Sequence, residues 1–155
     1  MYEKFMKIAI EEADKGLEQK AGGPFGAIIV LGDEIVGRGH NTVLKDGNPT
    51  HHAEINAISD ACTRLKTIDL SNCVIYSTVE PCPMCLSAIH WSKIPVVVYG
   101  ASIADAKEAG FNEISFSDDK FNKSAKLNIS LKSGVLRVEC MELFKRFKEK
   151  EINTY

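Results

Sequence analysis

Val79-Glu80-Pro81-Cys82-Pro83-Met84-Cys85, with His52-Ala53-Glu54 thirty residues before its first cysteine, decides how this chain is read. Two cysteines separated by two residues hold one metal ion, and a histidine adds a third protein ligand while leaving the fourth tetrahedral position open. That is the donor set of a catalytic zinc site, since a structural site closes on four protein ligands. Pro83 suits the first turn of a helix, where its missing N–H is no loss, so Cys82 falls at the N-cap and Cys85 in the first turn. Both sulfurs then lie at the positive end of the helix dipole, which favours thiolate, the form that zinc needs.

Residues two apart on a helix do not share a face, so Glu54 is not a further ligand beside His52. If both sit in the first turn of a helix that begins after Pro49, they look into one cavity from different angles, and Glu54 is free to move protons. A zinc knuckle and a redox Cys-x-x-Cys are the plainer readings of the cysteines. The first wants a fourth protein ligand, and the second has no use for His52 and Glu54. His-x-Glu followed by Pro-Cys-x-x-Cys is the signature of the zinc deaminases. His40, His51 and His90 are left unassigned to metal, because three protein ligands suffice.

A chain of 155 residues, 45% of them apolar, suits one domain across residues 1–155 with a real core. Nineteen basic against twenty-one acidic residues give a net charge of −2 and a pI near 6.1. Such a balance offers no global attraction for a polyanion, so a small-molecule substrate is expected and nucleic acid is not. Glu3, Lys4 and Lys7 make the first residues charged and periodic rather than leader-like, and no apolar run approaches a membrane span. A cytoplasmic location is the expectation. Cys62, Cys73 and Cys140 remain after the metal pair, an odd number that fits small core residues better than a disulfide framework.

Phe5, Ile8, Ala9, Ala13 and Leu17 recur at helical spacing and predict an amphipathic helix over 2–18. Residues 25–31 read as a buried strand, Gly32-Asp33 as a turn and 34–41 as its antiparallel partner. A polar stretch from Thr42 to Thr50 leads to a helix whose buried stripe is Ile55, Ile58, Cys62 and Leu65. Strands are expected at 73–78 and 96–99, with a helix over 83–92 between them, and this β-α-β order makes those strands parallel. A short helix over 102–109 precedes a loop over 110–126, long enough to be functional. Residues 127–131 and 136–138 read as a final strand or hairpin, and Cys140, Leu143, Phe144 and Phe147 as a helical stripe.

The chain resembles the cytidine deaminase-like superfamily, and within it bacterial guanine deaminases and plant guanosine deaminases. The resemblance covers most of residues 22–113. It rests on Gly22-Gly23-Pro24-Phe25-Gly26-Ala27, His40-Asn41, Asn48-Pro49-Thr50-His51-His52-Ala53-Glu54, the cysteine motif with Ala88-Ile89, and Glu108-Ala109-Gly110-Phe111. It implies an α/β class, three-layer α/β/α fold around a five-stranded mixed sheet, assembled as a homodimer. It also implies a zinc ion on His52, Cys82 and Cys85, with Glu54 moving a proton from water to a ring nitrogen and then to the departing amine. Asn41 and the N–H of Ala53 become hydrogen-bond partners for the ring, and Phe25 and Trp91 its walls, though both aromatics read equally as packing.

Asn112-Glu113 stands where the guanine group usually carries two aspartates. Glu113 is then a second catalytic carboxylate that accepts ring N–H groups, or else a solvated loop residue. Tyr155 resembles the aromatic terminus of several relatives and would close the pocket. The expected activity is hydrolytic deamination of a free aminopurine, most simply guanine at carbon 2 to give xanthine and ammonia. The tRNA-specific adenosine deaminases share the metal motifs, and Gly134-Val135-Leu136, Glu139-Cys140 and 144–148 look like their ending. That substrate is the main alternative; guanosine, adenine, cytosine and aminotriazines follow. A zinc-bearing binding module is the non-enzymatic reading, and it leaves Glu54 without a purpose.

Overall fold

The computed structural model describes residues 1–155. Helix α1 (Tyr2–Glu18) forms where its period predicts and buries Phe5, Met6, Ala9, Ala13 and Leu17 along one side. Strands β1 (Gly26–Leu31) and β2 (Glu34–His40) pair antiparallel from Gly26↔His40 to Leu31↔Glu34, with a register shift between Ile29 and Val30. A four-residue helix α2 (Val43–Asp46) lies within the stretch expected to be loop. The next elements are α3 (Ala53–Leu65), β3 (Cys73–Val79), α4 (Pro83–Trp91), β4 (Val96–Ala101) and α5 (Ile103–Glu108). Last come α6 (Asp118–Ala125), β5 (Ser130–Lys132) and α7 (Arg137–Glu149).

The sheet runs β2-β1-β3-β4-β5, with β1 antiparallel to both neighbours and β3, β4 and β5 parallel. Alternation along each strand sends successive side chains to opposite faces, so two cores form. Ile28, Val30, Tyr76 and Val98 face α1 and α7, while Ala27, Ile29, Ile75 and Val97 face α3 and α4. The result is the expected three-layer α/β/α arrangement around a mixed five-stranded sheet. Each fully buried Ile, Leu or Phe contributes about 1.5–3 kcal/mol. No helix is long and apolar enough to cross a membrane.

Three expectations need correction. Ile55, Ile58, Cys62 and Leu65 are only half-buried, and the row of α3 that meets the sheet is Ala53, Ala57 and Ala61, each 0% exposed. Small residues at that row let α3 lie directly on β2. Within 110–126 the stretch 118–125 is helix α6, capped by Ser117 and tied to the next strand by Asn122, whose amide bonds both N–H and C=O of Ile129 at 3.0 and 2.7 Å. Residues 136–138 are not strand: Leu136 caps α7, and β5 is a three-residue parallel edge rather than half of a hairpin.

The seat of α3 also explains Gly39. A Cβ there would lie 2.4 Å from the carbonyl oxygen of Ala53 and 2.5 Å from the amide nitrogen of Ala57, both backbone atoms that cannot swing aside. Gly39→Ala is therefore expected to lift the first turn of α3 from the sheet, at about 1–3 kcal/mol. Urea unfolding measures the loss, and zinc content should fall with it because His52 rides on that turn.

Candidate active site

Two helices begin at one end of the sheet. His52 is the N-cap residue of α3 and Cys82 that of α4, both with extended backbone, and Pro83 occupies the first turn of α4 as its fixed φ suggests. Cys85, on the same turn as Pro83, is fully buried. His52 Nδ1 lies 3.7 Å from Cys82 Sγ and 3.6 Å from Cys85 Sγ, and the three donor atoms all fall within 4.8 Å of one another. Tetrahedral zinc with ordinary Zn–N and Zn–S bonds needs N···S edges of about 3.6 Å, so the donors fit the ion as they stand. His52, Cys82 and Cys85 are positioned to bind a metal ion.

The electrostatics agree with that role. The Cys82 thiol is pushed down to about 4, chiefly by the hydrogen bond from Cys85 and then by His52. Burial opposes charge on His52, but the bond to Cys82 and the nearby Glu54 carboxylate outweigh it and raise its pKa.

Glu54 sits one turn-position beyond His52 and points to the same place from another angle. It is 6% exposed; its Oε1 accepts from Ser77 Oγ at 2.9 Å, and its Oε2 lies 3.3 Å from Cys85 Sγ. Burial raises its pKa, and the Cys82 charge raises it further. A carboxyl shifted toward neutrality beside a metal site is poised to take and return a proton.

The cavity over these groups has a volume of about 160 Å³ and is walled by Phe25, Asn41, Phe111, Glu113 and Tyr155 together with Glu54. Phe25 stands edge-on to Phe111 at 5.3 Å. Asn41 is 1% exposed, and its Oδ1 accepts three times: from Tyr155 Oη at 2.7 Å, Val43 N at 3.1 Å and Gly23 N at 3.3 Å. Three donors converging on one atom identify it as the oxygen, which leaves the amide NH₂ on the cavity side without a protein acceptor. Gly22 permits the arrangement, since a Cβ there would meet Asn41 Oδ1 at 2.1 Å.

Tyr155 also accepts from Gly23 N at 3.1 Å, so the last residue reaches the cavity of its own chain. Glu113 is half-buried with its pKa raised, first by burial and then by the Cys82 and Glu54 charges. Ala53, fully buried, opens α3 with its N–H free of any backbone acceptor, as the first N–H of a helix must be.

Trp91 is elsewhere. It ends α4 with its ring 78% exposed, stacked edge-on to His90, and it lines no part of this cavity. Being nine residues into α4 carries it a full helix length from the metal-bearing end. His51 pairs with Asp46 at 2.8 Å on the exposed loop, and His40 faces Glu12 at 3.8 Å beneath α1; neither approaches the metal donors. Sequence reading passed over Pro49, Val79, Glu80, Phe111 and Asn112 as lining residues, and over Ser77 as the partner of Glu54. Alternation along β3 was the available signal: Ser77 and Val79 fall on one side of a strand that ends at the cysteines.

A model of the cytidine and deoxycytidylate deaminase zinc-binding region matches residues 1–101. The chain belongs to that family. It is 44% identical to a guanine deaminase of Bacillus subtilis (strain 168) over 124 residues, 80% of this chain and 79% of that protein. It is 37% identical over 145 residues to a tRNA-specific adenosine deaminase of the same organism, covering 94% of this chain and 87% of the relative. The solved guanine deaminase from Nitrosomonas europaea superposes with a TM-score of 0.86 at 28% identity, over 95% of this chain and 84% of that one. Family, donor set and fold agree on a zinc-dependent hydrolytic deaminase.

Because the ligands come from two helices, binding energy is also folding energy. Cys85→Ala is expected to cut zinc affinity by more than the ~10²-fold typical of losing an outer partner, and to lower the Tm with it. A chelator should lower the wild-type Tm while leaving that of Cys85→Ala nearly unmoved, which calorimetry with and without the chelator reads directly.

Proposed function

We propose that the protein hydrolyses the exocyclic amine of a free aminopurine, guanine first, giving xanthine and ammonia. The observation that carries the free-base reading is the closed wall: Tyr155 Oη donates to Asn41 at 2.7 Å and accepts from Gly23 at 3.1 Å. A cavity of about 160 Å³ behind that wall lies below the roughly 300–1,000 Å³ that buries drug-sized ligands. It suits a single base rather than a larger ligand. The 44% identity to a guanine deaminase supports the same substrate.

The lining polar groups match a purine with both acceptors and ring N–H groups. Asn41 offers its NH₂ to a ring acceptor, Glu113 offers a carboxylate to a ring N–H, and Phe25 offers an apolar wall. Ala53 N–H, free at the start of α3, is a further donor at the metal-bearing end. His52, Cys82 and Cys85 would hold a zinc ion, which as a Lewis acid would supply a water nucleophile with a pKa of about 7. Glu54, as a carboxylate, takes a proton from the attacking water, gives it to a ring nitrogen, and carries the second proton to the amine as it leaves. Ser77 Oγ, 2.9 Å from Glu54 Oε1 and 2.7 Å from the Val79 carbonyl oxygen, orients the carboxyl group.

The tRNA reading rests on the 37% relative and on Lys145, Arg146 and Lys148 of α7. Two of those cations are already engaged within the chain: Lys145 with Glu142 and Arg146 with Asp14, both at 2.6 Å. Fewer free cations mean a weaker hold on phosphates.

Ammonia release is measured on guanine, guanosine, adenine, cytosine and an aminotriazine, with gel shifts on tRNA at low salt. Turnover of guanine and no salt-sensitive tRNA shift is the expected result; a reversed pattern overturns the substrate. Glu54→Gln should keep its zinc and lose about 10²–10⁴ in kcat, and near-normal turnover would refute the proton route. Glu113→Gln, which turns one acceptor into a donor, should cost guanine about 1–3 kcal/mol in kcat/KM. Glu113→Asp should cost less, because it keeps the charge.

A further inference from the structure

Glu80 lines the cavity immediately before the cysteine motif, is 7% exposed, and yet points its carboxylate away from any cation. Its Oε2 accepts from Ile103 N at 3.0 Å, the first N–H of α5, and its Oε1 accepts from Asp118 N at 2.8 Å, the first N–H of α6. One carboxylate therefore holds both ends of residues 103–118. Between those ends lie Phe111, Asn112 and Glu113, the three residues by which that segment reaches the cavity.

Little else fixes the middle of the segment. Glu113 N bonds Phe111 O and Phe116 N bonds Ile114 O, each a bond to a residue two earlier that cannot anchor the stretch to the body. Lys107 Nζ reaches Ser115 Oγ at 2.6 Å, again within the segment. Two rings leave it: Phe111 packs 5.2–5.5 Å from Phe25, Phe144 and Phe147, and Phe116 stands edge-on to Phe121 of α6 at 5.8 Å, while nearer the start of the segment Asp105 pairs with Arg137 at 2.6 Å. Ile114 and Phe116 are exposed. Aromatic packing sets how deep Phe111 sits, but not where the chain on either side of it runs.

We propose that Glu80 is a positioning residue for base selection: by bonding the first N–H of α5 and of α6 with its two oxygens, it sets the reach of Asn112 and Glu113 into the cavity. This rests on the reading of Glu113 as a group that meets the base. It differs from the mechanism above in acting through two backbone N–H groups rather than on the substrate. Asp118 contributes its N–H and not its side chain. Its Oδ2 is buried with no partner, and burial beside Glu80 pushes its carboxyl up to about 9.

Two variants separate the possibilities. Glu80→Gln keeps the length but turns an NH₂ toward one of the two N–H groups. Asp118→Pro deletes the second N–H at a first-turn position where proline is tolerated, following Ser117 at φ −68 and ψ 151. Asp118→Asn keeps that N–H and is the control for the side chain. In zinc-loaded protein, hydrogen exchange over 103–117 should quicken at least about 10-fold in Glu80→Gln and Asp118→Pro, while Asp118→Asn keeps the native rate.

The kcat/KM ratio between the two best-used bases should shift at least about 5-fold in the same two variants, mainly through KM, with zinc content unchanged. Faster exchange with an unchanged ratio overturns base selection and leaves a structural brace; unchanged exchange overturns the tether. Should Glu80→Gln fail to fold, Asp118→Pro decides alone. A wild-type enzyme that prefers another base sinks the guanine reading but not this one, because the ratio is taken on whichever bases it turns over. A wild-type enzyme that turns over none overturns both.

Discussion

Three donor atoms have to meet at one point before anything else in this protein can work, and two helix caps bring them there. A capping residue has extended backbone and a side chain facing the unsatisfied N–H groups of the first turn. His52 and Cys82 hold those places on α3 and α4, and Cys85 follows one turn later. The spacing between donors is thus the spacing between two helix starts, set by how both helices lie on one face of the sheet. That is why alanines at 53, 57 and 61 matter to a metal site they never touch. Larger residues along that row would move His52 outward by the thickness of their side chains, and the 3.6–3.7 Å edges would open.

The same geometry settles how a carboxylate survives inside the core. Glu54 is buried close to a thiolate, an arrangement that disfavours its charge twice over. It is tolerated because Ser77 donates to it from β3 and because the first turn of α3 presents free N–H groups nearby. A fully exposed carboxylate would be more comfortable and a weaker base, because burial is the first cause that raises the affinity of Glu54 for a proton. Stability is given up at one position in exchange for a carboxylate that takes up a proton more readily.

Much of this was legible in the residues. Period-2 and period-3.6 patterns place α1, β1 to β4, α4 and α7, and the His-x-Glu and Pro-Cys-x-x-Cys spacing identifies the donors. What was not legible has physical reasons. The α3 contact row is alanine, whose small apolar surface hides among the larger Ile55 and Ile58 that flank it. Helix α6, Asp118 to Ala125, carries a single large apolar residue, Phe121, so it shows no stripe, and its existence depends on a cap and on Asn122. Trp91 was placed by resemblance, and resemblance fixes a position in the chain without fixing where a ring faces. Glu80 looks like one more carboxylate beside a motif, because its partners lie 23 and 38 residues away and are backbone atoms that no side-chain pattern reveals.

The division between what was legible and what was not follows a division in the molecule. Metal ligands and proton carrier sit on two helix starts, α3 seated on the sheet through Ala53, Ala57 and Ala61 and α4 through Leu86 and Ile89. The cavity walls arrive from three separate places: Asn41 past the end of β2, Phe111 to Glu113 between α5 and α6, and Tyr155 at the end of the chain. Each wall is fixed by a few polar bonds. A scaffold built this way keeps one reaction while changing its substrate, since a wall segment can alter by a residue or two without disturbing the donors. Relatives named for guanine and for adenosine in tRNA both match this chain at 37% identity or more, as that division requires. On the proposed role of Glu80, selectivity depends on how firmly the walls are tied as well as on each contact, and a carboxylate that accepts from two helix starts at once is such a tie.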